Sequence, residues 1–289
     1  MYKVDNAVIM AAGTSSRFAP LSYECHKGLI PVRGEVLIER QIRQLREAGI
    51  MDICVVTGYR AEDFAYLEDK FGVTLRHNPL YATRNNNASI YVVRDLLKNT
   101  YICSADNYFS RNPFQATEED AYYAALYAEG ETKEWCMTED EAGYINSVVV
   151  GGRDAWYMLG QTFWSEDYSH KFVEILEAEY DLPQTVDKLW EDIYMEHLDE
   201  LRMKMKKYPQ DVIYEFDTLD ELREFDPSYV TDTRSHIIKD LAVRLRVTED
   251  KMHGFTAVKS DTNEAIGVRF TTEGKDYTYM YETQRLEEI

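Results

Sequence analysis

The first hundred residues alternate short apolar runs with amphipathic stretches, and this order limits the fold more than any other feature of the chain. Ala7–Ala12, Asp52–Thr57, Val73–His77 and Thr100–Ser104 read as strands. Leu37–Ala48 places Leu37, Ile38, Ile42, Leu45 and Ala48 at helical spacing, with Gly49 as its C-cap. Ala61–Phe71 and Ser89–Leu97 predict two further helices. Such β-α-β-α order implies a mostly parallel sheet with helices on both faces. Ligands of these sheets bind beyond the carboxyl ends of the strands. Two turns fall there, "AAGTSSR" after the first strand and "ADN" after Ser104.

The middle of the chain reads as a β-rich insertion with strands at Tyr122–Ala128, Ser147–Val150 and Trp156–Phe163. Helices are predicted at His170–Tyr180 and Lys188–Met195. "DVIYEFDTLDELREF" predicts a strand and then a helix over Asp217–Phe225, stopped by Asp226–Pro227. After Thr231 the composition changes. Arg234–Ile289 holds nine Lys and Arg against ten Asp and Glu, so the acidity lies in the body. Ile237, Ile238, Leu241, Ala242 and Leu245 form one helical face, and a hairpin is expected about Glu273–Gly274. The reading is therefore a main domain over 1–232 and a small α+β extension over 233–289.

With 289 residues, 45% of them hydrophobic, the chain can bury a large core. Its net charge of −20 argues against a broad nucleic-acid-binding face, which needs clustered Lys and Arg. A small nucleotide needs only a local cationic pocket. Cys25, Cys54, Cys103 and Cys136 are widely spaced, which suggests neither a zinc site nor a disulfide scaffold. Cys54 and Cys103 lie in apolar runs and are expected to be buried thiols. No apolar run is long enough for a membrane span and no signal-peptide pattern opens the chain, so a cytoplasmic location is expected. The six histidines show no ligand spacing.

The first loop has two readings, an ordinary turn after a strand and a binding loop for an anion. A strand followed by Gly13, Thr14, Ser15 and Ser16 exposes backbone N–H groups, and Gly13 allows close approach. Arg17 can fork two hydrogen bonds to phosphate oxygens, and Lys27 adds a point charge. The pattern is neither a Walker A loop nor G-x-G-x-x-G. Asp106 and Asp217 each follow a predicted strand, so both are expected near the sheet's carboxyl edge, where a carboxylate pair could hold a cation. Asp217 has a second reading as a helix cap.

"AAGTSSRFAP", Lys27 in "HKGLIPV" and the later "ADN" resemble the nucleotidyltransferases, whose signature is a G-x-x-x-R-[LF]-x-P loop, a Lys before a Pro and a metal-binding Asp. Here those are Gly13, Arg17, Phe18, Pro20, Lys27, Pro31 and Asp106. "YATRNNNASIYVV", "SADNYFSRNPF", "KEWCM", "GQTFW", "TVDKLWEDI" and "VIYEFDTLDEL" further resemble bacterial CTP:phosphocholine cytidylyltransferases of the LicC type, over about residues 1–227. The resemblance implies a Rossmann-like α/β fold with a mixed, mostly parallel sheet. It implies transfer of CMP from CTP to phosphocholine, with Mg²⁺ held by Asp106 and Asp217. It implies nucleotide contacts from Ala11, Ala12, Gly13, Tyr59, Asn86 and Ser89.

A quaternary ammonium is best held by aromatic faces and a carboxylate. The resemblance places Trp135, Asp187 and Trp190 in that role, while Trp190 alone could equally be a core contact. The family has a Tyr just before the last Trp, where this chain has Leu189, preceded by Lys188. A cation pointing inward there would repel a cationic substrate. 2-Aminoethylphosphonate and phosphoethanolamine are therefore alternatives, as is a sugar-1-phosphate, against which Trp135 and Asp187 speak. A catalytically inactive nucleotide-binding regulator is the reading from another class, opposed by the joint presence of Arg17, Lys27, Asp106 and Asp217. The expected partners are CTP and a small phosphorylated amine, with self-association left open. The tail resembles the start of a LicA-type choline kinase, weakly echoed in Lys259, Thr262 and Asn263. No kinase catalytic loop follows, so phosphotransfer by the tail is not expected. An ordinary small appendage is the other reading.

Overall fold

The computed structural model describes residues 1–260 and 265–289. Thr262 and Asn263 of the kinase resemblance lie outside the described residues. The chain forms two compact units, neither continuous in sequence. The first joins Met1–Gly13 to Ile38–Glu215, and the second joins Thr14–Leu37 to Phe216–Ile289.

The first unit is built on a seven-stranded sheet. Its strands are β1 (Asn6–Ala11), β2 (Ile53–Thr57), β3 (Thr74–His77), β4 (Thr100–Ser104), β5 (Tyr122–Glu139), β6 (Ile145–Trp164) and β7 (Lys204–Lys207). The spatial order is β7-β5-β6-β4-β1-β2-β3. β1 pairs in parallel with both β2 and β4, and β2 with β3. β6 runs antiparallel to β4 and to β5, and β7 is parallel to β5. Ala7, Val8 and Ile9 are fully buried, as strands covered on both faces require. Helices α1 (Leu37–Glu47), α2 (Tyr66–Phe71), α3 (Asn87–Val92), α4 (Glu166–Glu179) and α5 (Trp190–Glu196) complete the layers. α1 buries Ile38, Ile42 and Leu45, the face its spacing predicts.

Several elements depart from the sequence reading. The three predicted strands of the insertion are two long ones, β5 and β6, paired as an antiparallel ribbon with repeated register shifts. Its outer half is largely exposed, so "GETKE" and "GGRD" lack the alternation that marks a half-buried strand. Helix α4 starts at Glu166, where the Ser165 hydroxyl caps it by accepting the Tyr168 N–H at 3.3 Å. The stretch predicted as one helix over Ala61–Phe71 opens with a 3₁₀ turn, Ala61–Phe64, before α2. α3 ends at Val92, before a second 3₁₀ turn.

The second unit holds α6 (Leu219–Phe225), α7 (His236–Leu245) and a four-stranded antiparallel sheet. Its strands are β8 (Met252–Lys259), β9 (Ala265–Thr272), β10 (Lys275–Met280) and β11 (Leu286–Glu288). The β9–β10 hairpin turns at Glu273–Gly274, both with positive φ, as expected. The segment Thr14–Leu37, which precedes α1, packs within this unit.

Candidate active site

In the second unit, Phe18 N–H bonds to Ser15 O at 2.9 Å and closes a 3₁₀ turn over Ser16–Phe18. Ser15 takes a left-handed φ of 49° at its entrance. The turn leaves Arg17 in solvent, 73% exposed at its side chain, whereas Lys27 is 5% exposed. Both reach one carboxylate. Arg17 Nη1 donates to Asp217 Oδ2, and Lys27 Nζ lies 3.7 Å from Asp217 Oδ1. The Lys27 ammonium also sits 5.8 Å from the centre of the Phe18 ring. Just before it, the buried His26 ring uses Nδ1 to accept the Gly28 N–H at 3.1 Å.

The helix-cap reading of Asp217 does not hold. Thr218 caps α6, accepting the Glu221 N–H at 3.2 Å, and the Glu221 carboxylate accepts the Asp217 N–H at 2.6 Å. The Asp217 side chain is thereby left for Arg17 and Lys27. The strand before it is also not part of the main sheet. It is only Ile213–Tyr214, paired with Tyr108–Phe109. Asp217 belongs to the second unit and Asp106 to the first.

In the first unit, Asp106 stands in the turn beyond the carboxyl end of β4. Buried Gln41 of α1 sets this turn, its Nε2 donating to Ser104 O and to Asn107 O, both at 2.8 Å. Ala105 N–H bonds to Met10 O at 3.0 Å, tying the turn to β1. Ala11 and Ala12 are buried, whereas Gly13 is exposed and a Cβ there would meet nothing within 4 Å. Tyr59 N–H donates to Ala12 O at 3.0 Å. Gly58 was not singled out from sequence. A Cβ there would come 2.6 Å from Tyr81 Cβ and 2.7 Å from Ala12 O, so only glycine fits. The signal was the "TGY" at the end of a predicted strand.

The "NNN" run is a latch. Asn85 Nδ2 donates to Asp187 O at 2.9 Å, and Asn87 Nδ2 to Thr185 O at 2.9 Å. Asn86 Oδ1 accepts the Trp190 N–H at 2.7 Å, capping α5, and Asn86 Nδ2 donates to Glu191 Oε2 at 3.1 Å. Ser89 is buried and accepts from Asn78 Nδ2 at 3.1 Å. The Asn86 amide and the Ser89 hydroxyl, expected on the nucleotide, thus hold the protein's own loops.

Trp190, expected as a pocket wall, is 1% exposed and sits in the core. It stacks on Tyr123 at 5.8 Å and meets Trp164 edge-on at 5.1 Å. Asp187 is exposed. Lys188 Nζ is taken up by Glu196 and lies 3.5 Å from Glu179, so its charge is neutralised locally. Half-buried Trp135 lies on β5 against the core.

Three acidic residues missed in the sequence accompany these rings. Glu191 also accepts from the Tyr123 hydroxyl at 3.4 Å, and burial pushes its carboxyl up to about 7. Burial, with Glu191 and Glu215 nearby, holds the Tyr123 hydroxyl well above its ordinary value. Tyr157 is raised by burial and by Glu134 and Glu215. Tyr157 and Glu134 line an open cleft of about 540 Å³, together with Tyr127, Glu129, Glu131 and Gln210 among others. Nothing in a single sequence separates such carboxylates from a solvated acidic face.

Among the described residues no group of three or more His, Cys, Asp or Glu is placed to hold a metal ion, and no helix is long and apolar enough to cross a membrane. Burial raises the Cys54 thiol to about 12 and puts Cys103 above the ordinary range, in keeping with inert core thiols.

The MobA-like NTP transferase domain family matches residues 7–116. A choline-phosphate cytidylyltransferase of Streptococcus pneumoniae is 32% identical over 220 residues, 76% of this chain and 96% of that one. A 2-aminoethylphosphonate cytidylyltransferase of Lancefieldella rimae is 35% identical over 234 residues, 80% of this chain and 95% of that one. The solved CTP:phosphocholine cytidylyltransferase from Streptococcus pneumoniae superposes with a TM-score of 0.75 at 32% identity, covering 78% of this chain and 99% of that one. The inositol-1-phosphate CTP transferase of T. maritima shares the fold alone, with a TM-score of 0.57 at 14% identity, over 76% of this chain and 91% of that one. With its mixed, mostly parallel sheet, its loop signature and relatives matched over nearly their whole length, the chain is a nucleotidyltransferase and belongs to this family of bacterial cytidylyltransferases.

Proposed function

We propose that the protein transfers CMP from CTP to phosphocholine, releasing pyrophosphate. The observation that carries the substrate choice is the grouping of the Tyr123 and Tyr157 rings of the β5–β6 ribbon with Glu134, Glu191 and Glu215. Aromatic faces with carboxylates suit a cation that has no N–H to donate. The objection from Lys188 is removed by its pairing with Glu179 and Glu196.

A phosphate oxygen of the amine substrate attacks the α-phosphorus of CTP in line, and pyrophosphate leaves from the opposite side. No protein nucleophile is required. The protein's work is positioning and charge neutralisation. Arg17 and Lys27 exchange their shared partner Asp217 for phosphate oxygens, and backbone N–H groups of the loop that carries Arg17 would add to the anion's partners. The cytosine and ribose lie against Ala11–Gly13 and Tyr59.

A divalent cation of the Mg²⁺ kind belongs to this reading. Such an ion keeps several waters and leans on substrate phosphates, so one or two carboxylates suffice as its protein ligands. Asp106, beyond the carboxyl end of β4, would offer one hard oxygen donor of that type, and Asp217, which the family resemblance pairs with it, would offer another. When bound, the cation neutralises the charge of the leaving pyrophosphate. A cytoplasmic site of action completes the reading, supported by four cysteines with no disulfide among the described residues.

The second reading is 2-aminoethylphosphonate as acceptor, favoured by the Lancefieldella rimae relative and by Leu189 in place of the family's Tyr. Pyrophosphate release with CTP and Mg²⁺ tests both. Phosphocholine, phosphoethanolamine, 2-aminoethylphosphonate and glucose-1-phosphate are compared at equal concentration. Turnover fastest with phosphocholine supports the first reading, and a preference for a primary amine replaces it with the second. No release with any of the four overturns both.

A further inference from the structure

The segment Thr14–Leu37 carries Arg17 and Lys27, yet its neighbours come from the far end of the chain. Glu24 is the clearest case. Its Oε1 accepts the backbone N–H of His236 at 2.8 Å and of Ile237 at 3.2 Å, and its Oε2 accepts the Ser235 hydroxyl. One carboxylate thereby satisfies the first turn of α7, where negative charge is favoured. Beside it, Tyr23 stacks on Tyr281 with ring centres 4.0 Å apart and planes 24° from parallel. Pro31 O accepts from the Tyr229 hydroxyl at 2.6 Å and from Arg234 Nη1 at 3.1 Å. Strand β8 packs against the 3₁₀ turn Ser16–Phe18 itself.

The shared part of the relatives leaves about a fifth of this chain over, and the sequence resemblance ends near residue 227. Residues 233–289 are thus additional to the family's common length. They are nonetheless folded onto its nucleotide loop.

We propose that residues 233–289 are a positioning clamp for Thr14–Leu37, and that Glu24 and the Tyr23–Tyr281 stack are the positioning residues through which the clamp sets Arg17 and Lys27 for nucleotidyl transfer. The proposal rests on the roles given above to Arg17 and Lys27. The clamp residues touch neither substrate. They act by narrowing the range of loop positions from which the two cations can meet the triphosphate.

The test uses the full chain with Glu24→Gln, Tyr281→Ala, Tyr281→Phe and, as a control at the opposite end of β10 from Tyr281, Lys275→Ala. Native-state hydrogen exchange is followed over 14–37, and kcat and KM are measured for CTP and for the amine. We expect Glu24→Gln and Tyr281→Ala to speed exchange within 14–37 about tenfold or more, well below the melting temperature. The same variants lower kcat/KM for CTP about tenfold and leave KM for the amine unchanged. Tyr281→Phe, which keeps the stacking ring, restores both, and Lys275→Ala changes neither. Exchange within 14–37 that stays at the wild-type rate in folded Glu24→Gln overturns the proposal. So does faster exchange spread evenly over the chain, or faster local exchange with CTP kinetics intact. Should Tyr281→Ala fail to fold, Glu24→Gln decides alone. Arg17→Ala and Lys27→Ala run in parallel. Full activity in both sinks the functional reading instead, and the exchange data still decide whether the clamp exists.

Discussion

Arg17 and Lys27 share Asp217 but sit in very different surroundings, and that difference sets what each substitution does. Arg17 is in solvent, where an ion pair contributes little to stability. Arg17→Ala should therefore leave the melting temperature within a degree or two and lower kcat by about a hundredfold to a thousandfold, the scale of losing one transition-state donor. The Lys27 side chain is buried, so Lys27→Ala should lower kcat and also stability, by about 1–3 kcal/mol for the packing of its aliphatic stem. Steady-state kinetics with a denaturant titration separates the two. At Gly58 the expected effect is steric. Gly58→Ala forces a methyl into the Tyr81 side chain and Ala12 O, and urea unfolding should show a loss of about 1–3 kcal/mol. Glu191 supplies a pH test. Its folded pKa of about 7 lies above the value of 4.5 for a free Glu, so the folded state holds the extra proton. Stability from this group falls as pH rises from about 4.5 to about 7, and is constant outside that window. Glu191→Gln should hence match wild type near pH 4.5 and be more stable than wild type at pH 8, in melting curves at both pH values.

At the scale of elements, the repeating part of the fold was legible and the assembled part was not. Strands β1, β2 and β4 and helix α1 follow from buried apolar runs and from apolar residues at helical spacing, since local pattern and burial agree there. The β5–β6 ribbon was read in fragments because its outer half faces water on both sides. The site divides in the same way. The Gly13–Arg17 loop, Lys27 and the Asp106 turn show in sequence because a signature spacing marks them. Glu191, Glu215 and Gly58 gain their places from groups far along the chain, and no local pattern records that. Trp190 misled for the opposite reason: its place in a family-like segment suggested a pocket wall, while Trp164 and Tyr123 enclose it. The Asn85–Asn87 latch belongs to this scale too. Asn87 is fully buried, and its amide holds two carbonyls of the segment before α5. Asn87→Ala should orphan them at a cost of about 1–3 kcal/mol, which chemical denaturation would read directly.

For the whole molecule, charge is the dominant quantity. A net −20 surrounds a site that must admit an anionic nucleotide and an anionic acceptor. Long-range repulsion of this kind is screened by salt, with a Debye length of about 10 Å at 0.1 M. The value of kcat/KM for CTP should accordingly rise as monovalent salt increases from about 0.01 to 0.15 M, the reverse of an enzyme that steers its substrate in. A flat or falling profile would show that the local cations govern encounter.

The pairing of Arg17 with Asp217 also has a consequence in time. The two residues are 200 positions apart. At synthesis rates of about 5–20 residues per second, the ribosome adds Asp217 some 10–40 s after Arg17. Throughout that interval the nascent chain has its nucleotide loop but neither the counter-ion nor the later residues on which the loop rests. Nucleotide capture by this enzyme is therefore one of the last properties to mature during translation, well after most of its parallel sheet can have formed.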